Sequence, residues 1–318
     1  MPPLEIPLLD LVVPALIALA LLAWAWRRRE GAREEGVGST SENAAPESSV
    51  RERKPAPRGP AASVHARALG ALAFGLALLA AWWSIFREFA VPSESRVLAA
   101  KDWIPWCIVA AIGTAGVARI ESVKRFLPSG GAPIVLALLV VLSLRVKIGQ
   151  GTPGILVALL VFLAAMATWA ALELSCERLR GPLPSLVLAL ASAGSAAAIA
   201  LGGSTVIGRL CGALAAVLAV SALVARKRRA FTLSGGPVAI VSVVLVGAWI
   251  NAWAFNQVPL ASVGLAAAAV VVPSFAGIGP FATWTPVKRE SARVLLVVLL
   301  AGAAVWIAFS ARPESYGY

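Results

Sequence analysis

The chain has 318 residues, of which 59% are hydrophobic and only 14% are charged. Soluble domains carry about 25% charged residues, so this composition excludes a water-soluble globular protein and indicates that lipid is the solvent for most of the chain. The net charge of +12 would favour nucleic-acid binding in a soluble protein, but these basic residues lie between apolar runs, which favours a membrane protein with no nucleic-acid partner.

The first apolar segment predicts a transmembrane helix at 8–26. No Lys or Arg precedes it, whereas Arg27, Arg28 and Arg29 follow it directly. This order is the reverse of that in a cleavable signal peptide. Because basic residues stay on the cytoplasmic side, residues 1–26 are expected to form a first membrane helix whose N-terminus faces outward.

Residues 27–67 form the one long hydrophilic segment of the chain. The stretch 30–63 is rich in Glu, Arg, Ser, Pro, Gly and Ala and contains no aromatic residue. Such a composition buries too little apolar surface to fold alone, which predicts a disordered cytoplasmic loop. The loop is interpreted as a tether held near anionic lipid by its basic ends, and a docking site for a partner protein is the alternative.

The remainder, 68–311, predicts a bundle of about nine more membrane helices, because a span needs about 20 mostly apolar residues. The predicted spans are 68–86, 103–119, 131–146, 153–172, 183–201, 206–225, 237–255, 258–279 and 294–310. The span at 103–119 is short and contains Pro105, and the span at 131–146 is the weakest, so totals of eight or nine are the alternatives to ten. The predicted fold class is therefore an all-α, polytopic integral membrane helical bundle with about ten transmembrane helices.

The basic residues give this count a test. With ten spans and the N-terminus outside, 21 Lys and Arg fall in cytoplasmic segments and six in outer segments, and the remaining one is Arg209. A miscounted span would invert every later loop and destroy this asymmetry. We therefore predict a multi-pass protein of the cell (inner) membrane with both termini outside, including the short outer tail 312–318.

Gly208 and Gly212 form a GxxxG pair at the start of the span 206–225. In lipid, small residues let two helix backbones approach closely, and the preceding span carries the small-residue run ASAGSAAA at 191–198. The link between these spans is very short, so a tight antiparallel hairpin is expected. A chance GxxxG in a chain with 27 glycines is the alternative.

Pro273, Gly277 and Gly279 lie near the end of the span 258–279. Proline removes a backbone donor and glycine weakens the following turn, so a broken helix of the kind found at transporter binding sites is one interpretation. An ordinary proline kink near the inner end of the span is the other, and it is favoured because proline is common in membrane helices.

Enzyme signatures are missing from the sequence. It contains no HExxH, GxSxG, Walker lysine loop or GxGxxG motif, and its two aspartates, Asp10 and Asp102, are far apart in sequence. The single histidine, His65, and three unpaired cysteines offer no metal knuckle and no haem ligation. No cofactor, metal or catalytic residue is predicted, and an enzyme is the less favoured class.

One group of polar residues lies at similar depth near the predicted outer ends of several spans. Arg209 lies about 5 Å inside its span, a gap that a snorkelling arginine crosses easily. The alternative is an outward-facing mouth at which a basic residue pairs with a carboxylate or with a small anionic solute. Its candidate residues are Asp10, Arg145, Arg209, Trp249 and Asn251.

The leading expectation for function is a carrier or permease-like protein for a small solute. The alternative is a non-catalytic integral membrane scaffold or complex subunit, and a membrane-embedded transferase comes third. A carrier predicts a solvated polar site between helices. A scaffold predicts a solid bundle with an exposed apolar face, and a transferase predicts clustered acids at a membrane-level groove.

Overall fold

The computed structural model describes residues 64–87, 99–117, 131–149, 151–179, 181–227, 233, 236–255, 258–274 and 283–311. Within these ranges the chain is all-helical, with nine α-helices and no strand. The helices are α1 (Val64–Phe86), α2 (Trp103–Val117), α3 (Ala132–Ile148), α4 (Thr152–Arg178), α5 (Leu183–Leu201), α6 (Thr205–Lys227), α7 (Gly236–Phe255), α8 (Leu260–Val271) and α9 (Pro286–Ser310). Two 3₁₀ turns, Ala100–Asp102 and Val272–Ser274, precede α2 and follow α8.

Each described helix coincides with one of the apolar segments predicted from the sequence. The first predicted span, 8–26, lies outside the described residues, as do 27–63 and 312–318. Five helices are long and apolar enough to cross a membrane: Thr152–Glu177, Leu183–Leu201, Thr205–Lys227, Gly236–Phe255 and Val287–Ser310. The chain is therefore a helical membrane protein.

The two largest differences from the predicted helix boundaries are at the end of α8 and the start of α9, each of eight residues. α8 ends at Val271 and passes into the 3₁₀ turn that contains the buried Pro273, rather than continuing to 279. α9 begins at Pro286, eight residues before the predicted start at 294. Proline suits the first helical position, where its missing N–H has no partner to lose. The first two turns of α9 therefore carry the basic residues that the sequence placed in a loop.

α7 is the central helix of the described bundle. All sixteen residues from Pro237 to Ala252 are buried, and α7 packs against α1, α2, α3, α4 and α6. A helix that is apolar all round must be surrounded by protein, and the sequence of α7 fits this position because its buried segment has no charged residue. The axis of the described bundle is thus occupied by a helix.

Close contacts at glycines fix the directions of the helices around α7. A methyl group at Gly70 would lie 3.3 Å from Cγ of Pro237, and one at Gly75 would lie 3.4 Å from Cδ1 of Ile240, so α1 and α7 run parallel. A methyl group at Gly75 would also collide with Ile112, which lies near the C-terminal end of α2. α2 therefore runs antiparallel to α1 and to α7.

α5 and α6 form the most extensive helix pair in the described bundle. They are joined by a short turn in which Gly203 has a φ of 110°, a left-handed conformation that glycine adopts at little cost. Gly208 of α6 lies directly against the backbone of α5, because a methyl group there would lie 2.9 Å from the carbonyl oxygen of Ala196. Gly212, one turn later, is half-buried.

α9 lies at the edge of the described bundle, against α5 and α8. Ser262 of α8 donates a hydrogen bond of 2.8 Å to the carbonyl oxygen of Ala304. Gly194 of α5 meets Ala301, whose Cβ would lie 2.5 Å from a methyl group at Gly194. The opposite face of α9 and much of α4 expose large apolar side chains to the surroundings, as expected for lipid-facing helices. These side chains include Ile155, Leu156, Leu160, Leu163, Leu295, Leu299 and Trp306.

Candidate functional site at the convergence of α2, α3 and α7

The candidate site is built on a close crossing of three helices at Gly247. A methyl group at Gly247 would lie 2.9 Å from Cγ1 of Ile104 in α2 and 3.7 Å from Cδ1 of Leu139 in α3. α3 runs antiparallel to α2, since Gly131 at its start meets Thr114 at the end of α2. α3 is therefore parallel to α7, and the two helices advance together from this crossing.

One turn beyond the crossing, two buried polar side chains come to the same level, and a third polar group lies nearer the crossing at the start of α2. Asn251 follows Gly247 by four residues and Ser143 follows Leu139 by four, so each lies about 6 Å further along its helix and on the same face. Trp103 precedes Ile104 at the start of the antiparallel α2. We call Trp103, Ser143 and Asn251 the three-helix polar cluster.

Two members of the three-helix polar cluster hold a buried polar atom that has no hydrogen-bond partner. These atoms are Nε1 of Trp103 and Oγ of Ser143, and the Ser143 side chain is only 2% exposed. Asn251 is 4% exposed and donates from Nδ2 to the carbonyl oxygen of Gly247 at 2.8 Å. An unsatisfied buried donor costs about 1–3 kcal/mol, so both atoms call for an acceptor that the described protein does not supply.

Among the residues that the structure describes, the charges around the cluster are mostly basic. The 3₁₀ turn Ala100–Asp102 packs against both α3 and α7, and Lys101 places Nζ 5.0 Å from the centre of the Phe86 ring. Arg145, two residues after Ser143, is exposed, and Lys147 is half-buried. The acid here, Asp102, accepts a hydrogen bond of 3.0 Å from the backbone N–H of Ala99. This end of the bundle therefore favours an anionic or strongly hydrogen-bond-accepting ligand.

The structure divides the residues that the sequence proposed for one outer mouth. Arg145 lies on α3 and is exposed, about 200° around the helix from Ser143. Trp249 lies about 200° around α7 from Asn251 and faces α5, where its Nε1 donates to Oγ of Ser195 at 3.3 Å. Arg209, half-buried, lies on α6, the helix that packs most extensively on α5.

The other residues singled out from the sequence lie outside the three-helix polar cluster or outside the described residues. Asp10, Gly277 and Gly279 lie outside the described residues. Pro273 marks the change from α-helix to 3₁₀ turn after α8. The three cysteines, Cys107, Cys176 and Cys211, are buried free thiols, and the described ranges contain no group of three or more His, Cys, Asp or Glu side chains placed to hold a metal ion.

No family model, curated protein or solved structure matches this chain.

The sequence singles out Arg145 and Asn251 but gives Trp103 and Ser143 no such role. Trp103 reads as an interfacial anchor and Ser143 as an ordinary helical serine, because both residue types are common in such places. The one sequence signal is that Ser143 is the sole polar residue between Pro133 and Arg145. Its convergence with Asn251 depends on the pairing of α3 with α7, two helices far apart in the chain.

Proposed function

We propose that this protein is a carrier-like membrane protein that binds a small solute through an acceptor oxygen, such as that of a carboxylate, at the three-helix polar cluster. The observation that carries the proposal is the pair of buried donors, Trp103 Nε1 and Ser143 Oγ, that lack an acceptor beside Asn251. A small anion bound there would accept from both donors. The basic side chains of Lys101 and Arg145 would attract it to this end of the bundle.

The chemistry of the cluster supports binding rather than bond cleavage. Tryptophan, serine and asparagine donate hydrogen bonds, but none of them is a general acid or base near neutral pH without an activating partner. Solute sites in carriers lie between helices and use a few such groups. A transferase would instead need paired acids or a metal, so it ranks below the carrier.

The proposal is tested with the Ser143→Ala variant. Because the hydroxyl has no partner, its removal is expected to leave the thermal stability of the ligand-free protein unchanged or slightly higher. Uptake by proteoliposomes that contain the purified protein should fall about five- to thirtyfold, the effect of losing 1–2 kcal/mol of binding. The assay uses labelled small carboxylates, phosphate and sulfate, with the neutral amides of the carboxylates as a reference, and Trp103→Phe should act in the same direction.

The matched control is Ser242→Ala. Ser242 is also a fully buried serine, but its hydroxyl donates to the carbonyl oxygen of Val238 in its own helix at 2.9 Å. Uptake by this variant should equal that of the unaltered protein. Vesicles that take up no member of the panel, together with a thermal stability that no member raises, would contradict the carrier.

A second candidate function is a non-catalytic integral subunit or scaffold. The observation that favours it is α7, which fills the axis of the described bundle with sixteen consecutive buried residues. A scaffold holds its shape without a moving core, so its thermal stability would not respond to any small solute. Purification under mild detergent that consistently retains one protein partner, with no solute response, would favour this function over the carrier.

The proposal includes the finer topology of ten spans in the cell (inner) membrane, with both termini outside. It is supported by the 21-to-6 division of basic residues and by the agreement of nine apolar segments with described helices. Reporter fusions at Ser48 and after Tyr318 are expected to give opposite sides of the membrane. The same side for both would exclude an arrangement with ten spans.

A further inference from the structure

The first two turns of α9 carry a buried arginine that lies outside the three-helix polar cluster. Arg293 is only 9% exposed, although arginine is among the residues least often buried. It lies on the face of α9 that continues through Val297, Ala301 and Ala304. Because Ala301 meets α5 and Ala304 meets α8, Arg293 faces the protein rather than the surrounding lipid.

The register of α8 and α9 places Arg293 at the end of α8. Ser262 of α8 is bonded to Ala304, and the 3₁₀ turn Val272–Ser274 that follows α8 also packs against α9, so the two helices run antiparallel. Pro273 lies eleven residues after Ser262 and Arg293 lies eleven residues before Ala304. Both are therefore about 16 Å from that hydrogen bond and at the same level. The 3₁₀ turn also packs against α4, so Arg293 lies near the start of α9, at the level of a turn that contacts both α4 and α9.

The charges near Arg293 do not satisfy it. Its Nε is buried and has no hydrogen-bond partner. Arg289, one turn earlier, repels its charge, whereas the attraction from the exposed Glu290 is the weaker influence. Arg289 donates from Nη2 to the carbonyl oxygen of Trp284 at 3.0 Å. Like charges four residues apart destabilise a helix, and a buried guanidinium nitrogen without an acceptor among the described residues is costly, so the arrangement favours an anion.

The start of α9 adds further donors. Thr285, the residue before the helix, makes no side-chain hydrogen bond to the first turn, and that turn contains no acidic residue. The N-terminus of a helix carries free N–H groups and a partial positive charge, which favour phosphate. Lys288, exposed in the same turn, increases the basic charge.

We propose that Arg293 and Arg289 bind a phosphate group at the N-terminal end of α9, supplied by the headgroup of an anionic lipid or by free phosphate. A guanidinium matches phosphate with two parallel hydrogen bonds, and Nε is one of the donors that form them. The proposed topology places this end at the cytoplasmic leaflet, where basic sites between membrane helices bind anionic headgroups. The site is remote from the three-helix polar cluster and does not rest on the proposed solute binding, whereas its place at the cytoplasmic leaflet rests on the proposed topology.

The test measures thermal unfolding of the full-length protein in a neutral detergent. Phosphatidylglycerol is expected to raise the Tm about 5 °C more than phosphatidylcholine with the same acyl chains, and inorganic phosphate is added in a third arm. Arg293→Gln should lose most of this shift. Arg226→Gln is the matched control, because Arg226 is an exposed arginine in the last turn of α6, on the same predicted side, and it should keep the full shift.

The arms separate the two sources of phosphate. A shift with phosphatidylglycerol alone assigns the site to a lipid, and an equal shift with inorganic phosphate assigns it to the free ion. Native mass spectrometry provides a second measurement that does not depend on the stability of the variants, since the unaltered protein should retain phosphate-bearing adducts that Arg293→Gln lacks. Equal Tm shifts and equal adducts for Arg293→Gln and Arg226→Gln would overturn the proposal.

Discussion

Gly208→Leu is expected to lower the free energy of unfolding by about 3 kcal/mol or more, the upper range for inserting bulk into a packed core. A Cβ atom at this position would lie 2.9 Å from the carbonyl oxygen of Ala196 and 2.9 Å from Cβ of Ala200. These atoms belong to the backbone of α5 or are fixed to it, so no side-chain rotation relieves the contact. The larger side chain must separate the most extensive helix pair in the described bundle.

The measurement is the Tm and the yield of folded protein in detergent, and Gly302→Leu is the matched control. Gly302 also lies inside a membrane helix, but it is exposed and a Cβ atom there would meet nothing within 4 Å. Both variants exchange glycine for leucine in an apolar helix, so helix propensity and hydrophobicity change equally. Equal stability of the two variants would show that α5 and α6 do not approach closely at Gly208.

Gly194→Ala is the second substitution with a large expected effect, although it adds a single methyl group. That methyl would lie 2.5 Å from Cβ and 3.3 Å from Cα of Ala301, and neither atom can rotate away. α9 must therefore shift from α5, and since α9 packs mainly on α5 and α8, we expect a loss of about 2 kcal/mol in the free energy of unfolding. Thermal unfolding in detergent measures it.

A second substitution on the partner helix distinguishes this contact from a local effect on α5. Ala301→Gly removes the methyl group that Gly194→Ala strikes, so the double variant should recover most of the lost stability. Gly264 is an exposed glycine of α8, and a Cβ atom there would meet nothing within 4 Å. The Gly264→Ala variant should therefore keep the Tm of the unaltered protein. Failure of Ala301→Gly to restore stability would mean that α5 and α9 do not meet at these residues.

The candidate site shows how far sequence reasoning reaches. Asn251 and Arg145 are candidates from the sequence because polar and charged residues are rare in apolar spans. The sequence groups Trp249 with Asn251 because the two lie at similar depth near the end of one span, but a helix turns 100° per residue and so directs them to different neighbours. Ser143 gave almost no signal, since a serine in a membrane helix usually bonds to its own backbone.

The burial of Arg293, at the other end of the bundle, was likewise not predictable from the sequence. The sequence placed it in a cytoplasmic loop because charged residues normally end a span. The structure instead extends α9 back to Pro286 and buries Arg293 on the face that α9 packs against the protein. α9 continues beyond its apolar stretch, and residues spaced three or four apart still share one face there. Arg293, predicted to be solvated, therefore lies on the buried face of the helix.

The sequence by itself determined the solvent, the helical class and nearly every apolar segment of this protein. These follow from local properties, because a backbone in lipid must satisfy its own hydrogen bonds and a span needs a set number of apolar residues. Only the tertiary structure decided that α7 is central, that Ser143 of α3 and Asn251 of α7 come to one level near the start of α2, and that Arg293 is buried. These depend on which helices pair and on which face, and in lipid such pairing is set by close packing at small residues rather than by a hydrophobic pattern readable along the chain.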